Sequence, residues 1–300
     1  MKIVVFGAGA IGSLFGALLS KRNEVILIGR KAHVYAISKN GLTISGKTKF
    51  SGKIQAFEDV GSVKSPDLLV VSVKSYDTEN AMIQIKKIIG PNTKIISLQN
   101  GLDNVEKIQK HVKRKNIFVC ITTNGAFFSK HGQIIHTGVG KTTLGQIDGK
   151  TKDAEEIVNT FNDAGIVTTV NREITREIWI KGIINSSINP LTTFFDCKNG
   201  YLAKNPVLKK IVEKICEEST TIANSNGFDL NSKDMIDRTF EVIKDTSQNY
   251  SSMLQSYNQG KMTEIDSING VFLEIGKKNK TPFLLNKVLT DFIKEKKRFL

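Results

Sequence analysis

The sequence is short of cysteine and proline and has no long apolar run, and each shortage narrows what the chain can be. Cys120, Cys197 and Cys216 are far apart and form no CxxC pair. They read as reduced small hydrophobes, which places the chain in the reducing cytoplasm. None has a histidine close by in sequence to activate it as a nucleophile. Five prolines and 24 glycines, beside 40% hydrophobic and 24% charged residues, make an ordinary globular composition. That excludes a disordered, collagen-like or solenoid chain. No run reaches the roughly 18 apolar residues that a membrane-spanning helix needs. The apolar start, Met1 to Phe6, passes straight into glycines instead of a cleavage-type site, so it reads as a buried first strand and not a signal peptide. A length of 300 residues corresponds to about two domains.

Acidic residues are also few. Against 43 Lys and Arg stand 29 Asp and Glu, a formal charge of +14. Such a chain could hold nucleic acid, an anionic membrane or a phosphorylated small molecule. The cations are spread along the chain, and their one cluster (Lys294, Lys296, Lys297, Arg298) suits a solvated helix end. No arginine-rich arm, Cys/His finger or aromatic stripe supports nucleic-acid binding. The expected partner is therefore a small molecule, with neither nucleic acid nor membrane. His33, His111, His131 and His136 form no HxxxH pair, so no metal site is expected.

Lys2 to Phe6 reads as a strand, Gly7 to Gly12 as a glycine turn, Ala10 to Leu19 as a helix and Glu24 to Ile28 as a second strand. That is a βαβ unit. Residues 42–56 alternate apolar and polar around Gly46 and Gly52 and suit a hairpin-like insertion. Further strands are expected at Asp67 to Val73, Lys94 to Leu98 and Ile117 to Thr122 and within 132–147, with a helix near Glu79 to Ile89. From Glu173 the periodicity is helical nearly to the end. The expected fold is α/β: a Rossmann-type dinucleotide-binding domain over residues 1–171, then an all-helical domain over 172–300. Apolar periodicity in the later helices is compatible with an internal core or with pairing into a homodimer.

Gly7-Ala8-Gly9-Ala10-Ile11-Gly12 matches G-x-G-x-x-G. The first glycine permits the tight turn, the second lets a pyrophosphate approach the backbone, and the third lets helix and strand pack closely. The helix N-terminus then offers N–H groups and partial positive charge to phosphates. The second strand ends in Gly29-Arg30-Lys31, where an acidic residue would bind the ribose of NAD. Two cations there suit a 2′-phosphate, hence NADPH, unless both are plain surface charges. Lys74, in Val73-Lys74-Ser75, and Asn100, in Gln99-Asn100-Gly101, follow strands where open α/β sheets bind ligands. Asn100-Gly101 also fits a simple turn.

In the apolar stretch 178–191, Lys181, Asn185 and Asn189 recur at i, i+4 and i+8 and so share one helix stripe. If that stripe is enclosed, desolvation makes Lys181 a better proton donor near neutrality, and the asparagines can bond a polar substrate in both senses. Otherwise it is the wet face of an amphipathic helix. Pro190 is expected to bend or end this helix. A second polar cluster spans Ser251 to Gln255 and Met262 to Asp266, where Thr263 could cap a helix with Glu264 in its first turn.

With these pieces in order, the chain closely resembles the ketopantoate reductase (2-dehydropantoate 2-reductase) family over essentially its whole length. The resemblance is carried by GAGAIG at 7–12, VSVKS at 71–75, LQNG at 98–101, IWIKGIINSSINPLT at 178–192, SSMLQ at 251–255 and TEIDSINGV at 263–271. It implies NADPH-dependent reduction of 2-dehydropantoate to (R)-pantoate, a step towards pantothenate and coenzyme A. It further implies that Lys181 is the general acid and that Asn185, Asn189, Ser252 and Glu264 hold the hydroxyl and carboxylate groups of the substrate. Arg30, Lys74 and Asn100 would line the cofactor cleft, with Asn100 reaching the substrate as well. One position departs from the family pattern: Asp77 stands three residues after Lys74, where glutamine is frequent. A reductase of another 2-oxo acid is the nearest alternative, and a non-catalytic NADPH-binding sensor the more distant one.

Overall fold

A computed structural model describes residues 1–296. Lys297 and Arg298, two members of the basic cluster, lie outside the described residues. The chain separates into two compact units: Met1–Gln99 with Asn104–Thr175, and Asn100–Asp103 with the chain from Arg176 onward.

In the first unit the elements run β1 (Lys2–Phe6), α1 (Ala10–Leu19), β2 (Glu24–Ile28), α2 (Lys31–Asn40), β3 (Leu42–Gly46), β4 (Phe50–Gly52), β5 (Gln55–Phe57) and β6 (Leu68–Val71). They continue with α3 (Thr78–Ile85), β7 (Lys94–Ser97), α4 (Asn104–Gln109), β8 (Ile117–Thr122), β9 (Gly125–Lys130), β10 (Gln133–Gly138), β11 (Thr142–Gln146), α5 (Lys152–Asp163) and β12 (Thr168–Val170). The large sheet has the order β12-β11-β8-β7-β6-β1-β2-β5. From β5 to β8 every pairing is parallel, and β11 turns antiparallel to its neighbour β8. Counted along that parallel run the order is 3-2-1-4-5-6, the doubly wound arrangement, with its switch point between β1 and β6. The central strands are near-continuous apolar runs because both of their faces are covered. Ile3, Val4 and Val5 on β1 and Leu68 to Val71 on β6 are fully buried.

The hairpin expected over 42–56 is only partly local. β3 and β4 pair antiparallel, but β5 leaves them to extend the large sheet beside β2. The small sheet, ordered β4-β3-β10-β9, is completed by strands from much later in the chain and packs on α1. Between the last expected strand and Glu173 the structure adds α5 and then β12. α5 buries Ala154, Ile157, Val158 and Phe161, which recur at helical spacing.

The second unit contains only helices among its described residues: α6 (Ile174–Phe195, from Arg176), α7 (Tyr201–Lys204), α8 (Pro206–Ser225), α9 (Ser232–Asp245), α10 (Ser252–Asn258), α11 (Val271–Asn279) and α12 (Leu284–Lys296). A wide π turn, Asp266–Gly270, precedes α11. α6 feeds two apolar groups, Trp179, Ile180 and Ile183 against Cys216, Ile222 and Phe272, and Ile188 and Leu191 against Leu208, Val212 and Leu289. Of the two outcomes expected at Pro190, a bend or an end, the helix does not end there: α6 runs on to Phe195. The Ser186 carbonyl, which Pro190 has no N–H to serve, is taken by the Asn269 side chain at 3.1 Å. Nor does Thr263 cap a helix: the turn begins at Asp266 without a side-chain cap.

Candidate functional site

Gly7 adopts φ +112°, a left-handed conformation, and a β-carbon there would stand 2.6 Å from the Val73 amide nitrogen. A β-carbon on Gly12 would collide with the Gly7 carbonyl oxygen at 2.2 Å and with Ser72 Oγ at 2.5 Å. Gly9 is different, because its nearest neighbour would be Gly7 O at 4.0 Å. Packing therefore requires the outer glycines, whereas Gly9 leaves open space before the start of α1. Among the described residues no side chain caps that helix and no carboxylate lies in its first turn, and its N-terminal N–H groups carry the partial positive charge of a helix start. Ala8 donates to Ile28 O at 2.8 Å, tying the turn to the end of β2. Ala10 and Ile11 begin α1. This cradle fits a dinucleotide pyrophosphate.

Arg30 and Lys31 are exposed at the end of β2, Arg30 being the residue before α2. The loop after β6 is pinned from two sides. Ser72 Oγ donates to Gly7 O at 2.9 Å, and the Gln99 amide donates to Val73 O at 2.9 Å and to Thr78 Oγ1 at 2.8 Å. Lys74 follows, half-buried, at the head of a short turn in which the Asp77 amide donates to Lys74 O at 2.8 Å. Gln99 thus joins the ends of β6 and β7. It was visible in the LQNG stretch, but nothing local marked it as the brace.

The second unit carries Asn100, Lys181, Asn185, Asn189, Ser252 and Glu264; the glycine turn, Arg30 and Lys74 lie in the first. Lys181 and Asn185 are half-buried on α6, and Asn189 is 5% exposed. The stripe thus runs from half-buried at Lys181 and Asn185 to buried at Asn189. Asn100 is half-buried at the start of a segment clamped within the same unit. There the Leu102 amide donates to Ser267 O at 2.9 Å and Ser267 Oγ donates to Asp103 Oδ2 at 3.1 Å. Leu102 lies over Gly182, where a β-carbon would meet its side chain at 2.7 Å. Glu264 is buried at 6% exposure. Ser251, not Ser252, caps α10, accepting from the Leu254 amide at 3.2 Å, and Ser252 is exposed on the first turn.

His33, read in the sequence only as a histidine without an HxxxH partner, steadies the glycine-turn helix. His33 is 2% exposed, and its Nδ1 accepts from the Gly132 amide at 3.0 Å. In the neutral ring Nε2 therefore carries the proton and donates to Ser13 Oγ at 3.1 Å. Burial, and then the nearby His131, pulls its pKa down from 6.5 to about 4. No group of three metal-ligating side chains occurs among the described residues.

Two family models match the chain: "Ketopantoate reductase PanE/ApbA" over residues 3–149 and "Ketopantoate reductase PanE/ApbA C terminal" over 173–297. A 2-dehydropantoate 2-reductase of Pyrococcus horikoshii is 40% identical over 300 residues, covering 99% of this chain and 97% of its own. D-mandelate dehydrogenase, solved with NADH and anilino(oxo)acetate, superimposes with a TM-score of 0.94 at 28% identity, covering 99% of both chains. A PanE/ApbA family ketopantoate reductase from Ralstonia eutropha JMP134 gives 0.92 at 26% identity, covering 99% of this chain and 100% of that one.

Proposed function

The chain belongs to the ketopantoate reductase family, and on that premise we propose that it reduces 2-dehydropantoate to (R)-pantoate with NADPH. The observation that carries the reading is the half-buried to buried stripe of α6, where Lys181, Asn185 and Asn189 stand one turn apart in the unit that also carries Ser252 and Glu264. Residues 1–171 are assigned to cofactor binding and 172–300 to substrate binding.

The bound cofactor supplies the hydride for the ketone carbon. Lys181 Nζ holds the proton that the ketone oxygen takes, and its positive charge favours the negative charge growing on that oxygen. Asn185 and Asn189 each offer two donors and an acceptor, enough to orient hydroxyl and carboxylate groups of the substrate. Glu264 and Ser252 complete the set assigned to the hydroxyl and carboxylate groups of the substrate, the Glu264 carboxylate accepting from a substrate hydroxyl. Asn100 is assigned to both the substrate and the cofactor set. In the first unit the glycine turn holds the pyrophosphate, Lys74 lines the cleft, and Arg30 with Lys31 takes the 2′-phosphate.

Three widely spaced cysteines with no CxxC pair suit reduced thiols, and a cytoplasmic setting is assigned on that ground. The exposed Phe194, Phe195 and Phe292 of the second unit support a homodimer, with Phe194 and Phe292 stacked at 5.2 Å.

The likeness to D-mandelate dehydrogenase favours a second reading, in which the acceptor is another 2-oxo acid. Steady-state kcat/KM over a panel of 2-oxo acids with NADPH and NADH separates the two. The proposal expects 2-dehydropantoate with NADPH to rank first. A clear preference for a different acid displaces it, and cofactor binding without any turnover would leave a sensor.

A further inference from the structure

We propose that Asn269 is a positioning residue for the substrate face of α6, because it gives the Ser186 carbonyl the hydrogen bond that Pro190 withholds. The inference rests on the reading that Asn185, Asn189 and Glu264 hold the substrate.

In an α-helix the carbonyl of residue i is served by the N–H of residue i+4. Pro190 has no N–H, and its ring crowds the carbonyl of Ser186. A buried carbonyl without a partner is costly, yet α6 continues for five residues beyond Pro190, to Phe195. Asn269 is fully buried, and its Nδ2 donates to Ser186 O at 3.1 Å and to Asn286 Oδ1 at 3.0 Å. Its amide orientation follows from chemistry, because the flipped group would set Oδ1 against two acceptor oxygens.

The remaining protons fall into one order. Asn286 Nδ2 donates to Glu218 Oε1 at 2.9 Å and to Ser219 Oγ at 3.0 Å. The Ser186 hydroxyl donates to Ile183 O at 2.8 Å, so the 3.0 Å bond between the two serines runs from Ser219 to Ser186. The bonds therefore close a ring from the Ser186 hydroxyl through Ser219, Asn286 and Asn269 to the Ser186 carbonyl. Asn269 Oδ1 finds no partner among the described residues, a cost this arrangement carries to keep both donors aimed at acceptors.

Location gives the ring its consequence. Ser186 lies on α6 between Asn185 and Asn189. Asn269 lies in the π turn that begins two residues after Glu264, where the Gly270 amide reaches Ile265 O at 3.0 Å. π turns recur at functional sites. One side chain thus registers the segment bearing Glu264 against the turn of α6 that bears the asparagines.

The test compares Asn269→Ala, Pro190→Ala and the double variant. Asn269→Ala should raise KM for 2-dehydropantoate about tenfold or more while kcat falls less and NADPH affinity stays within about twofold. In the double variant position 190 regains an N–H for Ser186 O, and KM should return most of the way. Amide exchange over residues 187–195 should quicken in Asn269→Ala and slow again in the double variant, whatever the substrate. Unchanged KM and exchange in Asn269→Ala, or no recovery in the double variant, overturns the proposal. Should Asn269→Ala fail to fold, folding of the double variant is the expected rescue, and its failure counts against the proposal. A wild-type enzyme inactive on 2-dehydropantoate would refute the functional reading instead, and the exchange comparison would then judge the splint by itself.

Discussion

The carbonyl oxygen of Gly7 occupies the place a β-carbon on Gly12 would need, with only 2.2 Å between them. The start of α1 is thereby pressed onto its own preceding turn, which sets the helix N-terminus where a phosphate can reach it. Because the obstacle is backbone, it cannot swing aside as a side-chain tip would. Gly12→Ala should weaken NADPH binding at least about tenfold, equivalent to about 1.4 kcal/mol, and should lower Tm. Fluorescence titration checks the first effect and thermal melting the second; unaltered affinity would refute the tight-turn account.

Lys181→Ala should bind NADPH normally yet turn over about a hundredfold more slowly or worse. Lys181→Arg separates charge from proton transfer, since guanidinium stays protonated across the working range. It should recover little of kcat. An alanine variant as fast as wild type would end the general-acid role.

Replacing Arg30 and Lys31 together with alanine should cut kcat/KM for NADPH roughly tenfold and leave that for NADH nearly unchanged, as loss of charge-assisted phosphate contacts requires. Both residues are exposed at the end of β2, so folding should survive. Equal losses with both cofactors would mean the pair does not read the 2′-phosphate.

His33 predicts an acid limb of stability. Its folded pKa of about 4 lies below the ordinary 6.5, so between those values the unfolded chain binds a proton that the native ring refuses. The stabilisation is present above pH 6.5 and is lost as pH falls towards 4. Protonation also ends acceptance from the Gly132 amide. Tm should therefore drop from pH 7 to 4.5, and less steeply in His33→Gln; parallel slopes for the two proteins would exclude His33 as the source.

Local pattern carried the first half of the fold far. Lys2–Phe6, Ala10–Leu19 and Glu24–Ile28 form the strand, helix and strand read from them, because buried parallel strands are apolar throughout and a glycine turn has a spacing of its own. The second sheet was not legible, since β3 meets β10 through pairing across distant sequence. α5 lies beyond the strand-like stretch 132–147, and its short amphipathic repeat emerges only when Ala154, Ile157, Val158 and Phe161 are seen to share one buried face.

For the candidate site the division is similar. Residue types and helical spacing sufficed to put Lys181, Asn185 and Asn189 on one stripe, since 3.6 residues per turn is a property of the backbone alone. Whether that stripe was enclosed, whether Pro190 would break the helix, and which segment carries Asn100 depended on partners distant in sequence. Asn269 serves the carbonyl that proline leaves open, Ser267 and Gly182 seat the Asn100–Asp103 segment in the helical unit, and Gln99 ties two strand ends together. Periodicity records which face of an element is apolar; it holds no record of which side chain, many residues away, will complete a hydrogen bond, and only the folded chain settles that.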